Sequence, residues 1–474
     1  MSSGSPLPPS HDPLKNLYVA CDPFQPARDD QYVDTSAARG GSSVVRKLLE
    51  HVRFATDDRG YARTFVCALL SGHIGGGKSS ELNAFAACLQ KPEQSKLAGR
   101  YLPIHLNAED YLDPYDADSE EFFLALVLQL AATLRDQVGI ELKENYLVKR
   151  WDEIKTFLLT DVELQEGGIS LGAAAVKFGR ISRDPVARRS VREHLRPRMS
   201  SLLTEINQVL EAVRPQLRKK KPKDGGDCYV DVVIIVDDLE KVVRFGEQKS
   251  AEDSWRTLFV DRARQLNGLD AHVLYTVPLG LVRACGTELG AIYGREPVVL
   301  PMIKTEERAT HHPYAAGLVS LREILRKRAG DTSLDDIFAP EALTWLLDFC
   351  GGDVRGLMKF VRAAVTTAAG SQVTLRDAQQ ALSETISLFS TSIPKARWPK
   401  LAALDRSSDQ QMDNGDADTQ IMLRQLEILE YVNGGDGDDP FAEAAPWYAV
   451  HPIVRRLPQF RAAAAALDAQ AKLS

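Results

Sequence analysis

One short string limits this chain more than any other part of it: Gly72-His73-Ile74-Gly75-Gly76-Gly77-Lys78-Ser79. It fits G-x-x-x-x-G-K-[ST] at every fixed position. The apolar run at residues 64–70 before it reads as a buried strand, and residues 78–90 after it read as a helix. In a strand–turn–helix of this kind the curled backbone turns successive amide hydrogens toward phosphate oxygens. The helix N-terminus adds its positive end. Gly72, Gly75, Gly76, Gly77, Lys78, Ser79 and Ser80 are the expected nucleotide contacts, with ATP the expected ligand. Lys78 would neutralise the β- and γ-phosphates, and Ser79 would ligate Mg2+.

A second string carries acids at the end of a strand: Val232-Val233-Ile234-Ile235-Val236-Asp237-Asp238-Leu239-Glu240. A carboxylate there can hold the magnesium ion, and a second can orient the attacking water. Asp237 is the expected metal residue and Asp238 the expected water-polarising residue, with Glu240 the rival for that second role. Further strands are expected at residues 101–106, 271–277 and 297–300, with helices at 42–53 and 120–137. Strands alternating with helices imply parallel pairing through crossovers, so the fold class is α/β.

Beyond Pro301 the pattern turns helical, with helices at 318–327, 340–349 and 354–368. A Ser-, Asp- and Gly-rich linker at 407–418 leads to a short helix at 420–425. Two strand-like runs, at 427–432 and 447–450, flank an Asn433-Gly434-Gly435 turn. A helix followed by a hairpin suits a winged helix. The expected organisation is a flexible N-terminal arm (1–28), an ATPase domain (29–302) holding an insertion (140–228), a helical lid (303–390) and a winged-helix-like domain (391–474).

Composition excludes several classes. The six cysteines are widely spaced without a C-x-x-C pair, and the nine histidines form no ligand spacing, which argues against a disulfide framework or structural zinc. The first residues, MSSGSPLPPSHDP, lack a basic stretch followed by an apolar one, and no apolar run approaches the ~18 residues needed to span a bilayer. A cytoplasmic protein without membrane partners is expected.

Phosphate loop, acid-tipped strand, later polar-tipped strand and helical lid together resemble the AAA+ and STAND branch of P-loop ATPases. The resemblance covers about residues 30–370. It implies that Thr276, in His272-Val273-Leu274-Tyr275-Thr276-Val277-Pro278, is the sensor 1 residue. It also implies that Arg355, in Gly351-Gly352-Asp353-Val354-Arg355, is the sensor 2 arginine, because that string looks like the lid-helix opening of origin-recognition-type members. The segment Tyr32-Val33-Asp34-Thr35-Ser36-Ala37-Ala38-Arg39-Gly40 is the counterpart of the family's adenine-contacting stretch. Arg262, Arg264 and Arg295 are candidates for a finger acting on a neighbouring subunit, so a homo-oligomer is implied. The string around Lys78 also looks like stand-alone bacterial ATPases linked to antiviral loci, which implies a partner effector. One departure from a minimal core is the distance of about 160 residues from Lys78 to Asp237.

Residues 176–223 hold 14 Lys and Arg against four acids, in a chain of net charge −7. Arg188, Arg192 and Arg196 recur every four residues and would share a helix face. Arg218-Lys219-Lys220-Lys221-Pro222-Lys223 adds a compact run. Such a surface suits nucleic-acid phosphates, read without sequence preference. A solvated loop, or docking on the acidic Asp436-Gly437-Asp438-Asp439 tip, competes with that reading.

Overall fold

Consecutive β-branched and aliphatic residues form the central strands. Val232, Val233, Ile234, Ile235 and Val236 are all at most 1% exposed, as expected of a strand covered on both faces. The computed structural model describes residues 12–142, 189, 192–193, 199–244, 250–308, 310–434 and 445–471. The strands are β1 (Cys67–Gly72), β2 (Arg100–Asn107), β3 (Tyr229–Asp237), β4 (His272–Val277) and β5 (Val298–Leu300), in the order β2-β3-β4-β1-β5. The pairs β2–β3, β3–β4 and β4–β1 are parallel. The expected α/β architecture with a parallel sheet is what the chain adopts.

The principal helices are α1 (Pro13–Ala20), α2 (Val44–Phe54), α3 (Lys78–Leu89), α4 (Ser119–Thr133), α5 (Met199–Leu217), α6 (Leu279–Tyr293), α7 (Ala315–Ala329), α8 (Pro340–Phe349), α9 (Val354–Thr367), α10 (Leu375–Ala381), α11 (Ser383–Ser392), α12 (Arg397–Arg406), α13 (Ala417–Arg424), α14 (Pro452–Arg456) and α15 (Pro458–Ala471). The chain divides into two compact units. One comprises Met1–Val44, Gly72–Asn83 and Val299–Ser474, and the other Val45–Ser71 and Ala84–Val298.

In the second unit, α5 packs on β3. Leu202, Ile206, Val209, Leu210, Val213 and Leu217 are buried along it at helical spacing. At its end Arg214 pairs with the buried Asp231 at 2.9 Å. The last part of the stretch expected as an insertion is thus built into the sheet's own core. Residues 143–188 lie outside the described residues.

In the first unit, α7, α8 and α9 bury a common core that includes Leu321, Leu346, Leu357 and Val361. The strands β6 (Ile428–Val432) and β7 (Pro446–Val450) pair antiparallel, as the hairpin reading anticipated. Of the loose arm expected through residue 28, residues 1–11 lie outside the described residues, while residues 13–20 form a helix instead. Asp12 accepts from the Leu14 amide at 3.0 Å, Pro13 takes the first helical position, and Leu17 and Cys21 are buried in the α7–α9 core. An Asp-Pro start fits a helix N-terminus as well as it fits a loop. Here one apolar face found a core to bury against.

Candidate functional site

The phosphate-loop motif leaves the carboxyl end of β1, whose Ser71 lies in register with Val277 of β4. Because β1, β3 and β4 are parallel, the ends carrying Ser71, Asp237 and Thr276 share one edge of the sheet, where ligands of open α/β sheets bind. Gly75 and Gly77 have φ of +85° and +105°, which residues with a Cβ rarely adopt. The Gly76 amide donates to the His73 carbonyl at 3.2 Å. Amides of Ser80 and Glu81 then donate to Gly77 and start α3. Lys78 is buried, and its ammonium donates to the carbonyls of Gly72 (3.0 Å) and His73 (3.1 Å). The Ser80 hydroxyl accepts from the Ala27 amide at 3.0 Å.

Three groups that sequence reasoning did not single out stand against this loop. The first is the side chain of His73 itself. Its Nε2 accepts from the Glu430 amide of β6 at 2.9 Å and its Nδ1 lies 3.3 Å from the Leu423 carbonyl of α13. Those partners assign the proton to Nδ1. The second is Asp353, a buried carboxylate at the start of α9. Burial raises its pKa, against backbone donation from Gly356 and Arg355. The third is Arg39, whose guanidinium donates to Thr35 Oγ1 (2.7 Å), to the Gly76 carbonyl (2.7 Å) and to the Pro301 carbonyl. Tyr32, in the same segment, donates to Glu81 Oε2 of α3 at 3.0 Å. No local motif announces the contacts with the loop, since Gly76 and Pro301 lie tens to hundreds of residues from Arg39, Leu423 and Glu430 hundreds from His73, and Gly75 hundreds from Asp353.

The Gly351–Arg355 string meets the loop directly. Arg355 donates its amide to the Gly75 carbonyl at 3.2 Å, while its side chain is half-buried. Gly352 has φ of +83°, and a Cβ there would overlap the Ile303 carbonyl. The second glycine of the pair is therefore a steric requirement for bringing α9 to this position.

In the second unit, Asp237, Asp238 and Glu240 each offer an oxygen, all within 4.8 Å of one another, and all three residues are buried. Asp238 has φ of +60° and its amide is held by Asp237 Oδ1 at 2.8 Å. Burial raises the pKa of Asp238 and the charge of Glu240 raises it further, while Lys241, 2.9 Å away, opposes both. Crowded carboxylates that resist sharing their charge fit a divalent cation. The fully buried Thr276 hydroxyl accepts from the Leu239 amide at 3.1 Å, which ties the β4 tip to the acid-bearing turn.

The arginine-finger candidates separate. Arg262 ion-pairs with Asp118 and donates to Ser119 Oγ at 2.9 Å, bracing the start of α4. Arg264 is exposed. Burial lowers the pKa of the half-buried Arg295. Of the basic face, Arg192 turns inward, pairing with Asp116 (2.6 Å) and Glu121 (2.9 Å). Lys219, Lys220, Lys221 and Lys223 are exposed. Arg188, Arg196 and the acidic tip at 436–439 lie outside the described residues. No helix among the described residues is long and apolar enough to cross a membrane.

No protein-family model matches the chain, and no curated protein does. Solved structures do align with it. Drosophila ORC bound to DNA matches over 98% of this chain and 95% of its own, at 13% identity and a TM-score of 0.39. A Walker-type ATPase of Pyrococcus abyssi matches over 93% and 99%, at 13% identity and 0.41. The Aeropyrum pernix ORC2 protein matches over 97% and 98%, at 12% identity and 0.38. Overlays at this level leave the functional reading to the chain's own residues.

Proposed function

We propose that this chain is an AAA+-type ATPase that binds ATP with Mg2+ and converts nucleotide state into a change in its lid and assembly. The observation that carries the reading is the phosphate loop itself, left-handed at Gly75 and Gly77, with Lys78 beside its carbonyls and the Arg355 amide on Gly75. Loop amides and Lys78 take the phosphates. Ser79 and Asp237 are the residues that would hold a magnesium ion, which would supply charge neutralisation on the phosphate oxygens. Asp238, or Glu240 in its stead, accepts a proton from the water that attacks the γ-phosphorus as the bond to the bridging oxygen of ADP breaks. Thr276 orients the water, and Arg355 reaches the γ-phosphate from the lid.

The wider role follows from the basic run after α5 and the α13–β6–β7 segment, which we read as a winged helix. Both suit an ATP-driven oligomer on nucleic acid. A second reading is a defence-type switch that oligomerises and activates a partner effector. It is favoured by the inward turn of Arg192, which removes one arginine from the basic face. ATP turnover measured with and without DNA across a salt series separates them. Stimulation that fades as salt rises supports action on nucleic acid. Turnover indifferent to DNA supports the effector switch, and no turnover from the parent protein removes the ATPase reading altogether.

A further inference from the structure

The segment at residues 32–40, expected to touch adenine, contains Arg39, which is 5% exposed. Its three hydrogen bonds go to three separate pieces of chain: Thr35 of its own turn, Pro301 just after β5, and Gly76 in the phosphate loop. Among the described residues no carboxylate forms an ion pair with it. Burial lowers its pKa to about 10, with Glu81 and Tyr32 opposing, so it stays charged at neutral pH. A Cβ placed on Gly77 would sit 3.6 Å from Nη2, so that nitrogen lies beside the Gly76–Gly77 peptide.

The geometry of that peptide gives the contact a consequence. In a trans peptide the C=O and N–H point to opposite sides. Holding the Gly76 carbonyl toward Arg39 therefore aims the Gly77 amide hydrogen to the other face, and the buried positive charge behind it strengthens its polarity. Glycine on both sides leaves this peptide, like its Gly75–Gly76 neighbour, free of the Cβ restraint on flipping, so a fixed orientation needs an external anchor. Lysine could not serve, having no planar fork to reach three acceptors at once.

We infer that Arg39 is a positioning residue for polyphosphate: it sets the Gly76–Gly77 peptide with its amide toward the phosphates and adds cationic charge behind the loop, without reading the base. The inference rests on the nucleotide reading above. Its signature is indifference to the base. Arg39→Met weakens ATP, GTP and inorganic tripolyphosphate by one common factor of about ten or more, leaving the ATP-to-GTP ratio as in the parent. Arg39→Lys falls between the two.

The test is competition of these three compounds against a fluorescent ATP analogue on the full chain, with thermal melting to verify folding. Two results overturn the inference. One is a folded Arg39→Met or Arg39→Lys protein that binds tripolyphosphate like the parent. The other is a loss confined to ATP, which makes Arg39 an adenine contact. Should Arg39→Met not fold, Arg39→Lys alone decides. A parent that binds none of the three removes the nucleotide reading and this inference together, whereas a parent that binds with unaffected variants removes only this one.

Discussion

The amide of Arg355 donates to the carbonyl of Gly75 at 3.2 Å, so the first turn of α9 is pinned to the middle of the phosphate loop. The same approach leaves no space for a side chain at Gly75. A Cβ there would lie 2.5 Å from Asp353 Oδ1 and 2.9 Å from Arg355 Cβ, at a φ of +85°. Gly75→Ala is expected to cost about 2 kcal/mol of stability and to weaken ATP binding at least about ten-fold. Melting and nucleotide titration check both.

Arg355 holds its backbone on the loop while its side chain is left to act on the ligand. Arg355→Met keeps the amide contact and removes the charge. The expected outcome is a loss for ATP of about ten-fold, the size of one charge-assisted hydrogen bond, with ADP affinity unchanged. Equal losses for the two nucleotides in calorimetric titration would place the arginine elsewhere than at the γ-phosphate.

Arg192 tests the basic region from the opposite side. Glu121 is 1% exposed in its side chain and Arg192 16%, so removing the arginine strands a buried carboxylate. Arg192→Met is expected to destabilise the protein by about 3 kcal/mol in denaturant titration, while leaving any DNA affinity unchanged. Charge reversal at Lys219 and Lys221, which are exposed, should do the reverse.

Two buried histidines predict acid lability. Burial lowers the pKa of His272 to about 4, helped by Arg214 and Arg295, and that of His451 to about 3, helped by Arg455. Each Nδ1 accepts a backbone amide, from Val66 and Ile453 respectively, and so must stay unprotonated. Both folded values lie below the ordinary ~6.5. Their contribution is therefore complete above pH 6.5 and lost as pH falls toward 4 and 3, on the order of 3 kcal/mol for His272 and about 5 kcal/mol for His451. The melting temperature should drop steeply across that window. His451→Asn, which keeps an acceptor for the Ile453 amide, should flatten the slope.

What could be read from the sequence was what is local. The glycines and Lys78 of the loop, the acid-tipped β3, and helices such as α8, expected at 340–349 and found at Pro340–Phe349, all carry their reasons within a few residues. The α6 helix was invisible because Gly280, Gly286 and Gly290 dilute its pattern and its backbone departs from helical geometry at Cys285. Helix α1 was hidden because its stability comes from Leu17 and Cys21 entering a core made some 300 residues later. Arg39, His73 and Asp353 became site residues only once the fold brought Gly76, β6 and Gly75 to them, which no spacing along the chain encodes.

The most direct measurement is equilibrium binding of labelled ATP to the parent and to Lys78→Ala, with melting curves showing both folded. Converging amides and one ammonium on a triphosphate predict that the variant loses affinity at least a hundred-fold, as expected when a charged partner is removed from a buried ionic contact. A folded Lys78→Ala protein that holds ATP as tightly as the parent would contradict the account at its root.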